Sequence, residues 1–397
     1  MTESRDVHPA EPSQPRGLQI LALEPYCGGS HQAFLEGWSA GSRHAWTILR
    51  LPAYKWKWRM RHAAVTFADQ VCDLLAQGQR WDRLWCSDML NLAEFRGLVP
   101  PLVRDLPTVI YFHENQLTYP VRFENERDYQ FAMTNMTGAL AADAVWFNSS
   151  FHRDSFLEAL DAFLKRMPDH QPMSVCERIR QKTRISPPGV RTLPGAGRRS
   201  LGALRLLWAA RWEHDKNPED FFEALRILAR RGVAFRVSVI GEQFRESPEV
   251  FAEAPREFAG RIDRWGYREN RAEYEAALRD ADVFVSTANH EFFGLSAVEA
   301  TLAGAYPLLP RRLAYPEIFG AEDDAAPFFY DGGPQVLADR LTDLAARAGR
   351  GTCLYDEGQH LRRRLARFEW VHLAGVLDRA MQDVCVGCAD GRGARNA

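Results

Sequence analysis

Two carboxylates, Glu291 and Glu299, bracket a short segment that combines aromatic residues with a glycine, Phe292-Phe293-Gly294-Leu295. The segment follows a strand-like run at 281–286 and leads into an apolar, helix-forming stretch. Glycine lets a backbone approach a ligand closely, and a helix N-terminus favours bound phosphate. Carboxylates beside that phosphate can hydrogen-bond sugar hydroxyls, so the segment suits a nucleotide sugar. The alternative is a capping box of Ser296 and Glu299, which leaves Glu291 unexplained.

A pair of cations, Arg211 and Lys216, follows another strand-like run at 204–209 and precedes a helix-forming stretch that begins near Pro218. Arginine grips phosphate with its planar fork, whereas lysine acts as a point charge. Two such cations in one strand–helix loop can therefore hold a diphosphate. The alternative is that both are solvated loop charges, but their place in the same half of the chain as Glu291 favours a phosphate site.

Glycines and polar residues end two strand-like runs in the first half. Gly28 and Gly29 permit a tight turn beside a diphosphate, although their spacing is not the GxGxxG dinucleotide fingerprint. His31 then either faces the ligand or only begins the next helix. A second run ends in a polar exit that points into the predicted cleft, His113-Glu114-Asn115-Gln116. Since no second histidine follows His113 at helical spacing, a zinc-protease motif is excluded.

Cations alternate with aromatic residues in one segment, Lys55-Trp56-Lys57-Trp58-Arg59. In RNA recognition, cations contact phosphates and flat rings stack on exposed bases, so this composition is typical of an RNA contact. The alternative is an ordinary amphipathic loop in which the tryptophans pack inward and the lysines are solvated.

These residues need elements to position them, and strand-length apolar runs alternate with helix-period segments throughout the chain. In the first half we predict strands at 18–23, 81–86, 108–112 and 144–147, and helices at 65–75, 90–98 and 151–164. In the second half we predict strands at 204–209, 235–240, 283–286 and 305–309, and helices at 218–230, 271–278, 296–303, 336–346 and 361–378. The alternation predicts an α/β fold with two doubly wound parallel sheets, whose ligands bind at the carboxyl ends of the strands.

Prolines and glycines after residue 185 predict a linker between the two halves. We therefore expect a disordered tail at 1–16, a first domain at 17–187, a linker at 188–200, a second, nucleotide-sugar-binding domain at 201–365, a C-terminal helix at 366–384 and a tail at 385–397.

A chain of 397 residues with 46% hydrophobic residues can form two domains with sizeable cores. Its net charge of −2 excludes a uniformly basic protein but allows a local RNA-binding patch. The polar N-terminus lacks the apolar segment of a secretory signal, no run is long enough to span a membrane, and seven scattered cysteines fit a reduced cytosol. These features predict a cytoplasmic protein without a membrane partner. The isolated CxxC at 385–388 lacks the second ligand pair that a zinc site needs.

The carboxylate pair matches the E-x7-E motif of GT-B glycosyltransferases of family 4, and the cation pair matches their donor-phosphate site. The first half is similar to the tRNA-queuosine α-mannosyltransferases at 24–31 (EPYCGGSH), 51–59 (LPAYKWKWR), 111–117 (YFHENQL) and 168–170 (PDH). The resemblance covers residues 17–375 and implies a GT-B fold, in which two facing Rossmann-like domains enclose a cleft. It also implies retaining transfer of mannose from GDP-mannose to the cyclopentenediol of queuosine at the wobble position of tRNA-Asp.

The resemblance further implies roles for individual residues. Glu299 would hold the donor ribose, Glu291 the mannose hydroxyls, and His113 would lie near the reacting carbon. Arg211 and Lys216 would neutralise the diphosphate as GDP leaves. The other implied donor contacts are Gly28, Gly29, Phe293, Gly294 and Leu295. The implied acceptor and tRNA contacts are Ser30, His31, Lys55, Trp56, Lys57, Trp58, Arg59, Asn115 and Gln116.

The family needs no metal, since cations and a helix N-terminus replace it, and no side chain is an evident covalent nucleophile. We therefore expect no metal or cofactor, and attack from the same face that GDP leaves. One departure is that Lys216 precedes Asn217-Pro218 where many relatives carry a glycine, so the helix start can differ. The alternatives are a family-4 enzyme with a lipid or small-polyol acceptor, a nucleotide-sugar epimerase of similar fold, and a catalytically silent RNA- or nucleotide-binding protein. The sequence does not indicate an oligomeric state.

Overall fold

The computed structural model describes residues 17–121, 127–193, 202–244, 246–320 and 323–385. The expected tail at 1–16, nearly all of the expected tail at 385–397 and most of the expected linker lie outside the described residues. Within the described ranges, no helix is long and apolar enough to cross a membrane.

The first half forms a parallel sheet of six strands in the order β2-β1-β3-β4-β5-β6. Helices cover both faces of the sheet, so its central strands are mostly apolar. The strands are β1 (Gln19–Cys27), β2 (Ala45–Pro52), β3 (Arg83–Ser87), β4 (Thr108–Phe112), β5 (Ala144–Phe147) and β6 (Thr183–Ile185). The helices are α1 (Gly29–Gly41), α2 (Trp56–Ala76), α3 (Leu92–Leu98), α4 (Pro101–Arg104), α5 (Tyr129–Ala141), α6 (Ser150–Lys165) and α7 (Ser174–Arg180).

The second half forms another six-stranded parallel sheet, in the order β12-β11-β10-β7-β8-β9. Its strands are β7 (Leu204–Ala209), β8 (Phe235–Ile240), β9 (Ile262–Trp265), β10 (Val283–Val285), β11 (Tyr306–Pro310) and β12 (Phe329–Tyr330). Its helices are α8 (Pro218–Arg230), α9 (Val250–Glu257), α10 (Arg271–Asp280), α11 (Leu295–Leu302), α12 (Tyr315–Phe319), α13 (Pro334–Gly349), α14 (Leu354–Glu357) and α15 (Gln359–Leu365), followed by α16 (Trp370–Gln382). Short 3-10 turns lie at His214–Lys216, Asp323–Phe328 and Ala366–Phe368.

The eight predicted strands are confirmed as β1, β3, β4, β5, β7, β8, β10 and β11. The four strands that the sequence pattern missed, β2, β6, β9 and β12, are the edge strands of the two sheets. An edge strand has a neighbour on one side only, so it is shorter or less apolar than a central strand. Three of them are only partly buried, and β12 has two residues, so none gives a clear apolar run.

Two predicted helices have different bounds in the structure. Helix α2 begins at Trp56 rather than at residue 65, so the cationic and aromatic segment is the start of a helix and not a loop. The single helix predicted at 361–378 is wrong, because α15 and α16 are separate. The break lies at Glu369, whose extended backbone pairs with Val190 in an isolated parallel bridge.

Helix α16 lies against α1 of the first half, although it follows the whole second half in the chain. Its side chains Leu377 and Met381 complete the core on one face of the first sheet. The indole of Trp38 donates a hydrogen bond of 2.8 Å to Asp378, which fixes the rotation of α16.

The indole of Trp370, the first residue of α16, lies against two glycines, Gly37 and Gly189. A Cβ at Gly37 would lie 2.1 Å from the indole nitrogen, so Gly37→Ala should lower the melting temperature. Overpacking of this kind costs about 1–3 kcal/mol. The matched control is Gly97→Ala in α3, where a Cβ meets nothing within 4 Å and alanine improves helix propensity. Equal melting temperatures for Gly37→Ala and the unsubstituted protein would contradict this account of the crossing.

Candidate active site

Loops at the carboxyl ends of the two sheets meet, and their side chains are in direct contact. The ring of Tyr119, which follows β4, lies 5.9 Å from the guanidinium of Arg211, which follows β7. The ring of His152, at the start of α6, stacks on Phe292 with 3.7 Å between ring centroids. The segment around Glu291 and the loop of Arg211 therefore face the first half across one cleft.

A third contact joins the two halves at the N-terminus of α6. The Glu317 carboxylate of α12 accepts hydrogen bonds from the backbone N–H groups of Ser150 at 2.8 Å and Phe151 at 2.9 Å. A helix N-terminus favours a negative charge, so this contact stabilises the arrangement of the two halves. The sequence pattern missed Glu317, because nothing in the local sequence links it to a helix that begins 167 residues earlier.

Glu291 shapes its own loop. One carboxylate oxygen accepts a hydrogen bond from the backbone N–H of Gly294 at 3.2 Å, and the other lies 3.5 Å from the ammonium of Lys216. Gly294 has a φ of 91°, and a side chain there would collide with the ring of Tyr315. Phe293 packs into the core against Phe368, so only its backbone can reach a ligand.

Glu299 is held by two neighbours on α10. Its carboxylate accepts hydrogen bonds of 2.6 Å from Arg271 and 2.7 Å from the hydroxyl of Tyr274. The capping box with Ser296 is wrong, because the N-cap of α11 is Gly294 and no side chain caps this helix. A carboxylate has about four lone-pair sites, so Glu299 keeps acceptor capacity for a ligand. Arg271 and Tyr274 were missed, since they lie on a helix distant in sequence.

Lys216 is nearly buried and contacts both the loop after β7 and the loop after β10. Its ammonium donates to the carbonyl of His290 at 2.6 Å and lies 3.0 Å from Asp215. Burial lowers the pKa of Lys216, but the charges of Glu291 and Asp215 outweigh burial and raise it above its ordinary value. Lys216 is therefore a permanent cation that organises the loops.

Arg211 is the more accessible of the two predicted phosphate ligands. Its side chain is 40% exposed and pairs with Glu213 at 3.1 Å. The departure at Asn217 is accommodated, because this residue adopts a left-handed φ of 48° and caps α8 with its side chain. Asparagine tolerates that conformation better than most residues.

The two glycines after β1 have different constraints. A side chain at Gly28 would collide with Ala53, so this position packs against the segment after β2. Gly29 is exposed, has a left-handed φ of 52° and has open space around it. Gly29 and the exposed Ser30 therefore remain available for a ligand at the start of α1.

The side chains of His31 and His113 stack in the wall of the cleft, with 3.9 Å between ring centroids. His31 also lies 3.3 Å from the buried carboxylate of Glu24. The backbone N–H of His113 donates to Asp88 at 2.9 Å. We expected His31 to contact tRNA. This expectation is corrected, because the side chain is only 6% exposed and lies inside the wall of the cleft.

The expected acceptor contacts Asn115 and Gln116 are also corrected, because both are buried. The Asn115 side chain accepts hydrogen bonds from the backbone N–H groups of Leu117 and Thr118. It therefore shapes the loop that carries Tyr119 to Arg211, and contact with tRNA would require this loop to open.

The cationic and aromatic segment divides into exposed and packed residues. Trp56 packs on Phe131, and the Arg59 guanidinium donates to the carbonyl of Pro52. The exposed residues, here called the α2 surface, are Tyr54, Lys55, Lys57 and Trp58.

One cluster has side-chain types that bind metals: single ligand atoms of Glu24, His31 and His113 lie within 4.8 Å of one another. A metal-bound imidazole directs its in-plane lone pair at an ion about 2.0–2.1 Å away. The planes of the two rings differ by only 28°, so their lone pairs run side by side and do not converge. This geometry does not fit a metal ion.

Comparison with known proteins decides the family. Residues 19–190 match the family described as tRNA-queuosine alpha-mannosyltransferase N-terminal, and residues 197–348 match glycosyl transferases group 1. A tRNA-queuosine alpha-mannosyltransferase from Drosophila melanogaster is 38% identical over 319 residues, 77% of this chain and 82% of the relative. The chain belongs to the tRNA-queuosine α-mannosyltransferase family. Its prediction as a glycosyltransferase is confirmed.

More distant matches agree with the glycosyltransferase class and the fold. A GDP-mannose-dependent alpha-(1-6)-phosphatidylinositol dimannoside mannosyltransferase from Mycobacterium tuberculosis is 27% identical over 175 residues, 44% of this chain and 42% of the relative. A sucrose-phosphate synthase from Thermosynechococcus elongatus superposes with a TM-score of 0.67 at 16% identity, over 92% of this chain and 98% of its own. Anabaena HepE in complex with UDP superposes with a TM-score of 0.65 at 13% identity, over 92% of this chain and 99% of its own. The predicted GT-B fold is confirmed.

Arg211→Ala should lower the rate of glycosyl transfer about 10- to 150-fold, since a charge-assisted hydrogen bond contributes about 1.5–3 kcal/mol. The melting temperature should change little, because the side chain is 40% exposed and its contacts with Glu213 and the ring of Tyr119 border the cleft. The control is Arg205→Ala, an exposed arginine on the adjoining strand β7. If Arg211→Ala lowers the melting temperature and leaves the rate of the folded enzyme intact, Arg211 has a structural role instead.

Proposed function

We propose that this protein transfers mannose from GDP-mannose to the cyclopentenediol of queuosine at the wobble position of tRNA-Asp, with retention of the α configuration and without a metal. The observation that carries the proposal is the meeting, in one cleft, of the loop after β4 with the Glu291 segment. The first belongs to the part of the chain that matches the queuosine family, and the second to the group 1 transferase part. The name of the mycobacterial relative supports GDP-mannose as the donor.

In this proposal the second half holds the donor. Glu299 accepts hydrogen bonds from the ribose with the lone pairs that Arg271 and Tyr274 leave free. Glu291 accepts hydrogen bonds from mannose hydroxyls. The diphosphate lies between Arg211 and the N-terminus of α11, where a fixed cation and the helix dipole stabilise the charge that develops on GDP.

Asp88 bears on the choice between covalent and same-face transfer. It is fully buried beside His113, and burial raises its pKa to about 8. At neutral pH it is mostly protonated and is therefore a poor nucleophile. We favour attack by the acceptor hydroxyl from the side that GDP leaves. The new bond joins the acceptor oxygen to the anomeric carbon, the bond to phosphate breaks, and the hydroxyl proton passes to a phosphate oxygen of GDP.

The α2 surface is the proposed contact with tRNA. Tyr54 and Trp58 are 63% and 62% exposed, unusually high for side chains of this size. The ammonium of Lys55 lies over the ring of Tyr54, and that of Lys57 lies over the ring of Trp56. The surface adjoins the cleft through Ala53, which packs against Gly28. Bases stacked on these rings would thus belong to the nucleotides next to the one in the cleft.

The deciding experiment incubates the purified protein with GDP-mannose and tRNA, with or without queuosine, and analyses the nucleosides by mass spectrometry. We expect a hexose on queuosine alone, and the same yield in the presence of EDTA. Binding of GDP-mannose without transfer to any tRNA would contradict the acceptor. Loss of transfer with EDTA would contradict the metal-free site, and a mannosyl–enzyme adduct in the intact protein would contradict same-face attack.

Changes in the α2 surface should weaken tRNA binding without changing donor binding. The double substitution of Lys55 and Lys57 by alanine should reduce the slope of log affinity against log salt by about one for each lysine that contacts a phosphate. Trp58→Ala should lower the affinity by about 1–3 kcal/mol at all salt concentrations, because stacking carries no charge. Arg230→Ala, an exposed cation on α8, is the control. An unchanged slope in the double variant would remove the lysines from the interface.

A further inference from the structure

The carboxylate of Glu24 has no exposed surface and lies among hydrogen-bond donors. One oxygen accepts hydrogen bonds from the hydroxyl of Ser87 at 3.0 Å and from the backbone N–H of Tyr26 at 2.9 Å. The other oxygen lies 3.3 Å from Nδ1 of His31, within the distance of an ion pair. A buried carboxylate is costly unless it is paired, and His31 is the cation that this arrangement offers.

The surroundings of His31 contain three carboxylates and a second imidazole. Glu24 on β1, Asp88 after β3 and Glu114 after β4 act on its charge, and Asp88 is mostly protonated at neutral pH. His113 stacks on one face, and Tyr26 makes an edge contact at 6.0 Å.

The two stacked imidazoles differ in charge. Burial lowers the pKa of His31, but the charge of Glu24 and its hydrogen bond outweigh burial and raise the pKa to about 9. Burial, with the nearby His31 and His152, lowers the pKa of His113 well below its ordinary value. At neutral pH His31 is therefore a cation and His113 is neutral.

We infer that Glu24 is a positioning residue for glycosyl transfer, which fixes a charged His31 directly behind His113 in the first-half wall of the cleft. This inference rests on the proposed function. The charge of His31 lies across the cleft from Arg211 and stabilises the diphosphate as negative charge develops on GDP. A cation that is already desolvated and held in place needs no reorganisation during the reaction. His113 meanwhile stays uncharged, so that it can bind mannose hydroxyls through its neutral ring.

The test is Glu24→Gln, which keeps the shape of the side chain and removes its charge. By 13Cε1 NMR of histidine-labelled protein, with His31→Gln for assignment, we expect the midpoint of the His31 titration to fall from about 9 to about 6.5 or lower. With a midpoint of about 6.5, the cationic fraction at pH 8, and the transfer rate that depends on it, falls roughly 30-fold, but at pH 6 less than twofold; a lower midpoint increases both losses and keeps the loss larger at pH 8. Glu24→Asp retains the charge and should restore a raised midpoint. Ser87→Ala removes a hydrogen bond from the same carboxylate but no charge, so its midpoint should match that of the unsubstituted protein.

Equal midpoints in Glu24→Gln and the unsubstituted protein would overturn the inference, as would an equal loss of rate at both pH values, which marks a structural role. If Glu24→Gln does not fold, the comparison between Glu24→Asp and Ser87→Ala decides: a midpoint lowered in Ser87→Ala but not in Glu24→Asp would contradict the assigned role of the charge. If the unsubstituted protein transfers no sugar to queuosine, the proposed acceptor fails. The variants are then compared by GDP affinity against pH, where an unchanged affinity of Glu24→Gln at pH 8 overturns the inference.

Discussion

The ammonium of Lys216 contacts the loops that follow two strands of the second half, β7 and β10. The geometry of these loops depends on this contact. It bonds to the carbonyl of His290, lies beside Asp215 and reaches Glu291. Each of these groups would be costly to bury without a partner, so the loops after β7 and β10 are stable only when they lie together. Glu291 is consequently held in place at the start of α11, where its carboxylate accepts a hydrogen bond from the N–H of the N-cap residue Gly294.

The first half contacts this prepared loop through side chains and not through a continuous interface of secondary structure. His152 stacks on Phe292, Tyr119 reaches Arg211, and Glu317 caps α6. All of these contacts involve loops or helix ends that border the cleft. A change in the distance between the two halves would therefore move the residues that line the cleft. Contacts between domains that are made by side chains of loops and helix ends allow one domain to move against the other.

The sequence predicted the central strands and the polar loops that follow them at the cleft, since both have local signals. A buried parallel strand is an apolar run, and the polar loop after it stands out by contrast. The missed features depend on partners that are distant in sequence. The edge strand β2 is only partly buried and is defined by its pairing with β1, and the bond from Arg271 to Glu299 joins two helices. Asn115 looked like a ligand because it is polar at a strand end, but its side chain bonds to its own loop.

The return of α16 to the first half has a consequence for biosynthesis. Trp38 and Asp378 are separated by 340 residues, yet they share a buried hydrogen bond in the core that α16 completes. A ribosome releases the chain from its N-terminus, so one face of the first sheet is covered only in part, by α1, until the second half has been made. Leu377 and Met381 arrive last on apolar surface that has been exposed throughout translation. Aggregation or chaperone binding therefore competes with folding during the period when the first half has been made and α16 has not.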